Sequence, residues 1–157
     1  MGTSVYRRPE KVLVYLYRRT SGSGVEYLLL QRSQSQVGHI WQAVVGTARW
    51  GEELVEAARR EVFEETGLTR LSGITAIGYA FSFVFCLSPE EKSRYAPGVT
   101  VIRNVVFAAE VLSPQSVSLS DEHIAYQWFP YAEAVSKIHW PEDREALVRL
   151  HPMVSAI

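Results

Sequence analysis

Residues 46–68 read GTARWGEELVEAARREVFEETGL, a segment that predicts a loop, one helix and a sharp stop. The stretch 52–65 holds neither Gly nor Pro, and Gly67 follows it in the position of a C-terminal helix cap. At about 100° per residue, Leu54, Val55, Ala58 and Val62 form one apolar stripe about 100° wide. Glu65 falls inside that stripe and Glu61 about 20° beyond its edge, while Glu64 points about 60° further round. Glu53 and Glu56 lie on other faces. Six glutamates within 52–65 stand against Arg59 and Arg60, a local charge of −4 in a chain whose formal total is −1. An acidic run is usually a solvated helix face. Glu61 and Glu65 depart from that reading, because they are spaced i, i+4 and project together at the border of a buried stripe. Like charges placed there repel each other and lose hydration. A hard divalent cation with oxygen ligands, Mg²⁺ or Mn²⁺, relieves both costs.

Outward from this helix, KVLVYLYRR (11–19) and VEYLLLQRS (25–33) are rich in β-formers and are joined by TSGSG, a hairpin signal. HIWQAVVG (39–46), ITAIGYAFSFVF (74–85), VTVIRNVVFAAEV (99–111) and HIAYQWFP (123–130) are further strand candidates. LSPEEKSRYAPG (87–98) reads as a polar loop. YAEAVSKI and PEDREALVRL fit short C-terminal helices, the second with Pro141 at its start. Strands on both sides of a central helix, with helices at the end, predict an α/β (α+β) fold with a mixed sheet covered by helices. One domain over 1–157 suits the length.

The bulk numbers exclude more than they reveal. A charge of −1 gives no overall field toward a nucleic acid polymer or an acidic membrane, so a phosphate ligand needs a local site. No apolar run reaches membrane-spanning length and the N-terminus lacks a signal-type apolar core, which makes cytoplasm the expected location. Cys86, the single cysteine, sits in an apolar run and reads as a buried free thiol. The four histidines (39, 123, 139 and 151) show no metal-ligand spacing and read as structural or exposed. Trp41 reads as a core aromatic, with stacking on a ligand's ring as the alternative. No heptad pattern announces an oligomer.

The stretch 46–68 resembles the Nudix box, G-x5-E-x7-R-E-U-x-E-E-x-G-U with U apolar, at every defined position: Gly46, Glu52, Arg60, Glu61, Val62, Glu64, Glu65, Gly67 and Leu68. Its fixed residues would coincide by chance on the order of once in a hundred million placements. The resemblance implies an α-β-α sandwich with the box as loop-helix-loop. It further implies Mg²⁺ on Glu61 and Glu65 with Glu64 assisting, Arg60 orienting a glutamate, Glu52 bracing the loop, and Gly46 letting backbone approach metal and phosphates. The implied reaction is attack of cation-activated water on phosphorus. Val45 and Arg49 depart from common Nudix residues at undefined positions, where they could alter phosphate contacts.

Outside the box, VYRRP (5–9), LQRS (30–33), WQAVVG (41–46), RYAPGVT (94–100) and EHIAYQW (122–128) are similar to the dihydroneopterin triphosphate pyrophosphatase branch, which also accepts dATP-like nucleotides. That resemblance implies a small-molecule triphosphate as substrate. It casts Glu122 as a metal ligand outside the box, Arg7 and Arg32 as phosphate contacts, and Tyr95 as a ring contact or gate. Hydrolysis of another substrate, such as a dinucleoside polyphosphate or an oxidised nucleotide, is the alternative. A non-catalytic ligand sensor would have lost box glutamates, and none is lost.

Overall fold

The computed structural model describes residues 5–22, 24–32, 39–84 and 88–155. In chain order it contains β1 (Glu10–Arg19), β2 (Val25–Arg32), β3 (Trp41–Gln42), β4 (Val44–Thr47), α1 (Leu54–Thr66), β5 (Thr75–Val84), α2 (Pro89–Lys92), β6 (Val101–Glu110), β7 (His123–Pro130), α3 (Tyr131–Lys137) and α4 (Pro141–Ser155). Among the described residues the strands form one mixed sheet in the order β3-β2-β1-β6-β5, with β4 also on β1 and β7 also on β2. The β1–β6 pairing is parallel, and the β1–β2 hairpin is antiparallel as its turn signal implied.

β1 is buried on both faces, so its sequence is a continuous apolar run instead of an alternation. Val12, Val14 and Leu16 face one layer, where Ala57, Ala58 and Val62 of α1 join them. Leu13 and Tyr15 face the other, against Ala146, Leu147 and Leu150 of α4. Helices on both faces of a mixed sheet give the expected three layers. Burying each of these Val or Leu side chains contributes about 1.5–3 kcal/mol. Trp41 packs edge-on against Phe129, with ring centroids 5.3 Å apart, as a core aromatic.

The elements differ from expectation where tertiary contacts overrule local signals. HIWQAVVG splits into β3 and β4, because the chain leaves β2 for β1 at Ala43. The expected loop 87–98 contains α2, capped by the Ser88 side chain accepting from the Glu91 N–H at 3.2 Å with Pro89 next. α4 runs past Leu150 through Pro152 to Ser155, because the buried stripe Leu147, Leu150, Val154 continues at helical spacing. Cys86 lies outside the described residues, as do Ser33 and Phe85 at the ends of two expected strands. No described helix is long and apolar enough to cross a membrane.

Candidate metal and phosphate site

α1 begins at Leu54, two residues after Glu52, and ends at Gly67, whose φ of 71° and N–H to the Phe63 carbonyl make the left-handed cap. Its apolar stripe packs as the periodicity required, and Glu65 is carried inward with it to 3% exposure. Glu61 is half-buried at the border, and Glu64 and Glu53 are exposed. β4 runs antiparallel to β1 with Gly46 opposite Val12. A Cβ at Gly46 would overlap the Glu61 carboxyl group. The glycine is there to let the strand backbone lie against that carboxylate.

Arg60 organises the box. Its guanidinium donates to both oxygens of Glu52 at 2.8 and 3.0 Å, to Glu61 Oε1 at 2.8 Å, to Glu64 Oε2 at 3.2 Å and to the Thr47 carbonyl at 3.1 Å. The bonds to Glu52 hold its carboxyl down at about 2, against the smaller opposing cost of desolvation. Glu52 also accepts from the Arg49 N–H at 2.9 Å and so closes the loop. The Arg49 guanidinium lies 3.6 Å from Glu64, both groups being exposed, so this pair contributes little to stability.

Glu65 is in a different condition. Both of its oxygens are buried without a hydrogen-bond partner, and the Val45 backbone N–H faces them without closing a bond of normal geometry. Burial, then the charges of Glu61 and Glu122, push its pKa up to about 9. Glu61 is raised as well, by burial first, with the Arg60 hydrogen bond opposing. Glu122, just before β7, has a carboxylate oxygen within 4.8 Å of ligand atoms of Glu65 and His123. Three carboxylates from two distant stretches, Glu61, Glu65 and Glu122, therefore act on one another, and orphaned buried oxygens of this kind suit a hard divalent cation.

A rise in folded-state pKa means that the folded protein holds the Glu65 proton more tightly than the unfolded chain. The resulting stability is complete below about 4.5 and is lost as pH rises through about 9. Cation binding must displace that proton, so affinity rises with pH across the same window. At one hundred times its Kd the cation adds about 2.7 kcal/mol, or roughly 5–10 °C in Tm for a chain of this length. Thermal melts with and without EDTA at pH 6 and pH 8.5 check this. An increment that is equal or smaller at pH 8.5 contradicts it.

Basic groups border the carboxylates. Arg32, at the end of β2, acts electrostatically on Glu65. Lys11, which the sequence reading missed, is lowered by burial, then by Arg32 and Arg7, and drawn the other way by Glu61 and Glu91. Among the described residues it feels two arginines and a box glutamate, and its side chain makes no hydrogen bond. No sequence signal marked it, since a lysine at a strand start is ordinarily solvated. Arg8 was missed too: it donates to the Arg49 and Glu52 carbonyls at 2.9 and 2.8 Å and straps the N-terminal segment over the box loop. The Trp50 indole donates to the Tyr6 carbonyl at 2.6 Å in the same strap.

Tyr95 is placed differently from the carboxylates. At 5% exposure it packs with Ile102, Phe83 and Val99 and lines an open cavity of about 450 Å³ with Tyr6, Lys92 and Pro97. His39 and His139 are exposed, and His151 stacks on Tyr131 at 3.8 Å, so all three are as expected. His123 is buried beside Glu65, with Nε2 3.6 Å from Glu65 Oε1. Linear spacing could not reveal this, because Glu65 and His123 meet only through the sheet.

Residues 7–150 match the NUDIX domain family. The chain is 32% identical over 150 residues to the dihydroneopterin triphosphate diphosphatase of Escherichia coli K12, covering 94% of this chain and 95% of that enzyme. It is 30% identical over 153 residues to the asymmetrical bis(5'-nucleosyl)-tetraphosphatase of Mus musculus, covering 96% and 90%. The solved structure of the E. coli dihydroneopterin triphosphate pyrophosphohydrolase superposes with a TM-score of 0.74 at 27% identity, over 98% of this chain and all of that one. An intact box on a helix that buries its last glutamate, an arginine pinning the box loop, and similarity along nearly the whole chain agree, and the protein belongs to the Nudix hydrolases.

Proposed function

We propose that the protein hydrolyses a phosphoanhydride bond in dihydroneopterin triphosphate or a similar nucleoside triphosphate, with release of pyrophosphate and Mg²⁺ as cofactor (Mn²⁺ as substitute). The observation that carries this reading is the unpartnered Glu65 carboxylate beside Glu61 and Glu122, bordered by Arg7, Lys11 and Arg32. Acid ligands and basic groups side by side fit a polyphosphate bridged by a cation. Similarity over nearly the whole length to dihydroneopterin triphosphate diphosphatases supports the pterin.

Glu61, Glu65, Glu64 and Glu122 would hold the cation, which when bound neutralises phosphate charge and lowers the pKa of the attacking water. Arg60 fixes Glu61 against Glu52, so the carboxylate is oriented before substrate arrives. Gly46 keeps the strand close enough for backbone and phosphates to share the site. Arg7, Lys11 and Arg32 bind the phosphate oxygens by charge-assisted hydrogen bonds, and Tyr95 borders the side where a ring would lie. Lys11→Ala is expected to raise KM about tenfold, the loss of one charge-assisted bond of about 1.5 kcal/mol, with kcat changed less. Steady-state kinetics on the preferred triphosphate check it, and an unaltered KM removes Lys11 from the site.

A substrate panel with Mg²⁺ tests the main reading, with dihydroneopterin triphosphate, the four dNTPs and diadenosine tetraphosphate as substrates and chromatography of the products. Highest kcat/KM on the pterin, with pyrophosphate and a monophosphate as products, is the expected result. The second reading, a dinucleoside polyphosphate hydrolase, is favoured by the 30% identity to the mouse tetraphosphatase. ATP and AMP as the main products, from diadenosine tetraphosphate, would establish that reading instead.

A further inference from the structure

β7 pairs with β2 in regular antiparallel register up to Gln31↔Ala125, and the next pair is Arg32↔His123. Ile124 is passed over in a bulge. Glu122 stands in the turn just before β7, and the bulge re-aims His123 relative to the strand that follows it. Here Glu122, Glu65 and a ring nitrogen of His123 lie within 4.8 Å of one another.

His123 is 6% exposed, and its Nδ1 is buried without a hydrogen-bond partner, as both Glu65 oxygens are. Its Nε2 lies 3.6 Å from Glu65 Oε1 and 3.5 Å from the Gln42 amide nitrogen. These distances are too long for good hydrogen bonds. Unpaired polar atoms at such depth are costly, and both unpaired Glu65 oxygens belong to a carboxylate that the His123 ring and the Glu122 acid approach. A cation there would satisfy the carboxylates and the imidazole at once.

We propose that His123 is an imidazole ligand of the cation held by Glu65 and Glu122, so that the site favours Mn²⁺ or Co²⁺ over Mg²⁺. The proposal rests on the reading that these carboxylates bind a divalent cation. Imidazole suits transition metals, whereas Mg²⁺ favours an all-oxygen shell.

The test uses the full chain and Mn²⁺ alone, without substrate. Electron spin-echo spectroscopy of the Mn²⁺-loaded protein should show nitrogen modulation from a directly bound imidazole. His123→Gln should abolish that signal and weaken Mn²⁺ binding about tenfold or more in calorimetry, while Mg²⁺ affinity shifts by less than about twofold. A merely structural role for His123 would weaken both metals together and leave the spectrum unaltered. Bound Mn²⁺ without nitrogen modulation overturns the proposal, and so does modulation that persists in His123→Gln. If Mn²⁺ does not bind at one equivalent, or binds equally to Glu65→Gln, the carboxylate reading falls and this proposal with it. Should His123→Gln not fold, the spectrum of the unaltered protein still decides.

Discussion

Glu65→Gln is expected to lower kcat by on the order of a thousandfold while leaving the fold intact. A side chain that merely supports a metal ligand costs 10–100-fold when lost, and Glu65 would be a ligand itself. Glutamine keeps its shape but binds a hard cation poorly. Burial and the neighbouring acids keep Glu65 protonated near pH 7 in the absence of metal, so glutamine is also close to isoelectronic with the residue it replaces. The Tm in EDTA should therefore be equal or higher at pH 7, and its decline toward pH 9 should flatten. Glu53→Gln is the control, because Glu53 is exposed and makes no side-chain cap bond. Full activity in Glu65→Gln, measured under saturating Mg²⁺, would end the metal assignment. A variant that is inactive only because it has lost its fold would show itself in the EDTA melt.

Gly46→Ala should have the next largest effect, a loss of about a hundredfold in kcat/KM. The added methyl group meets the Glu61 carboxyl, and the strand cannot retreat because it is held to β1 by Val12 and its neighbours. The carboxylate has to move instead, away from the position Arg60 sets for it. Displacements of about 1 Å in a reacting site cost about that factor, and overpacking takes about 1–3 kcal/mol from stability. Kinetics and a thermal melt on the same preparation read both quantities. Activity within about threefold of the parent would mean that Glu61 is not needed where the structure puts it.

The two predictions differ in how far the sequence alone could have carried them. Glu65 was legible because α1 is regular: fixed rotation per residue puts it in the apolar stripe, and the stripe has only one place to pack. Gly46 was legible as a required residue through the box, but not for its reason. Only the approach of β4 to α1 shows which side chain a methyl group would strike. Tyr95 was legible as a loop residue and turned out to be packed beneath it, because the loop contains a capped helical turn that draws the ring inward.

The sequence by itself determined the helix, its buried acidic edge, and the apolar strands that call for helices covering the sheet. These follow from periodicities of 3.6 and 2, which are local and short in range. The tertiary structure decided which distant residues share the site. Strand pairing brings Glu122 and His123 to Glu65 across a bulge. It also sets Lys11 in a field shared by Arg7, Arg32 and Glu61. Such neighbours have no fixed separation in the chain, because a sheet joins strands of any sequence distance and one slipped residue reverses every side chain.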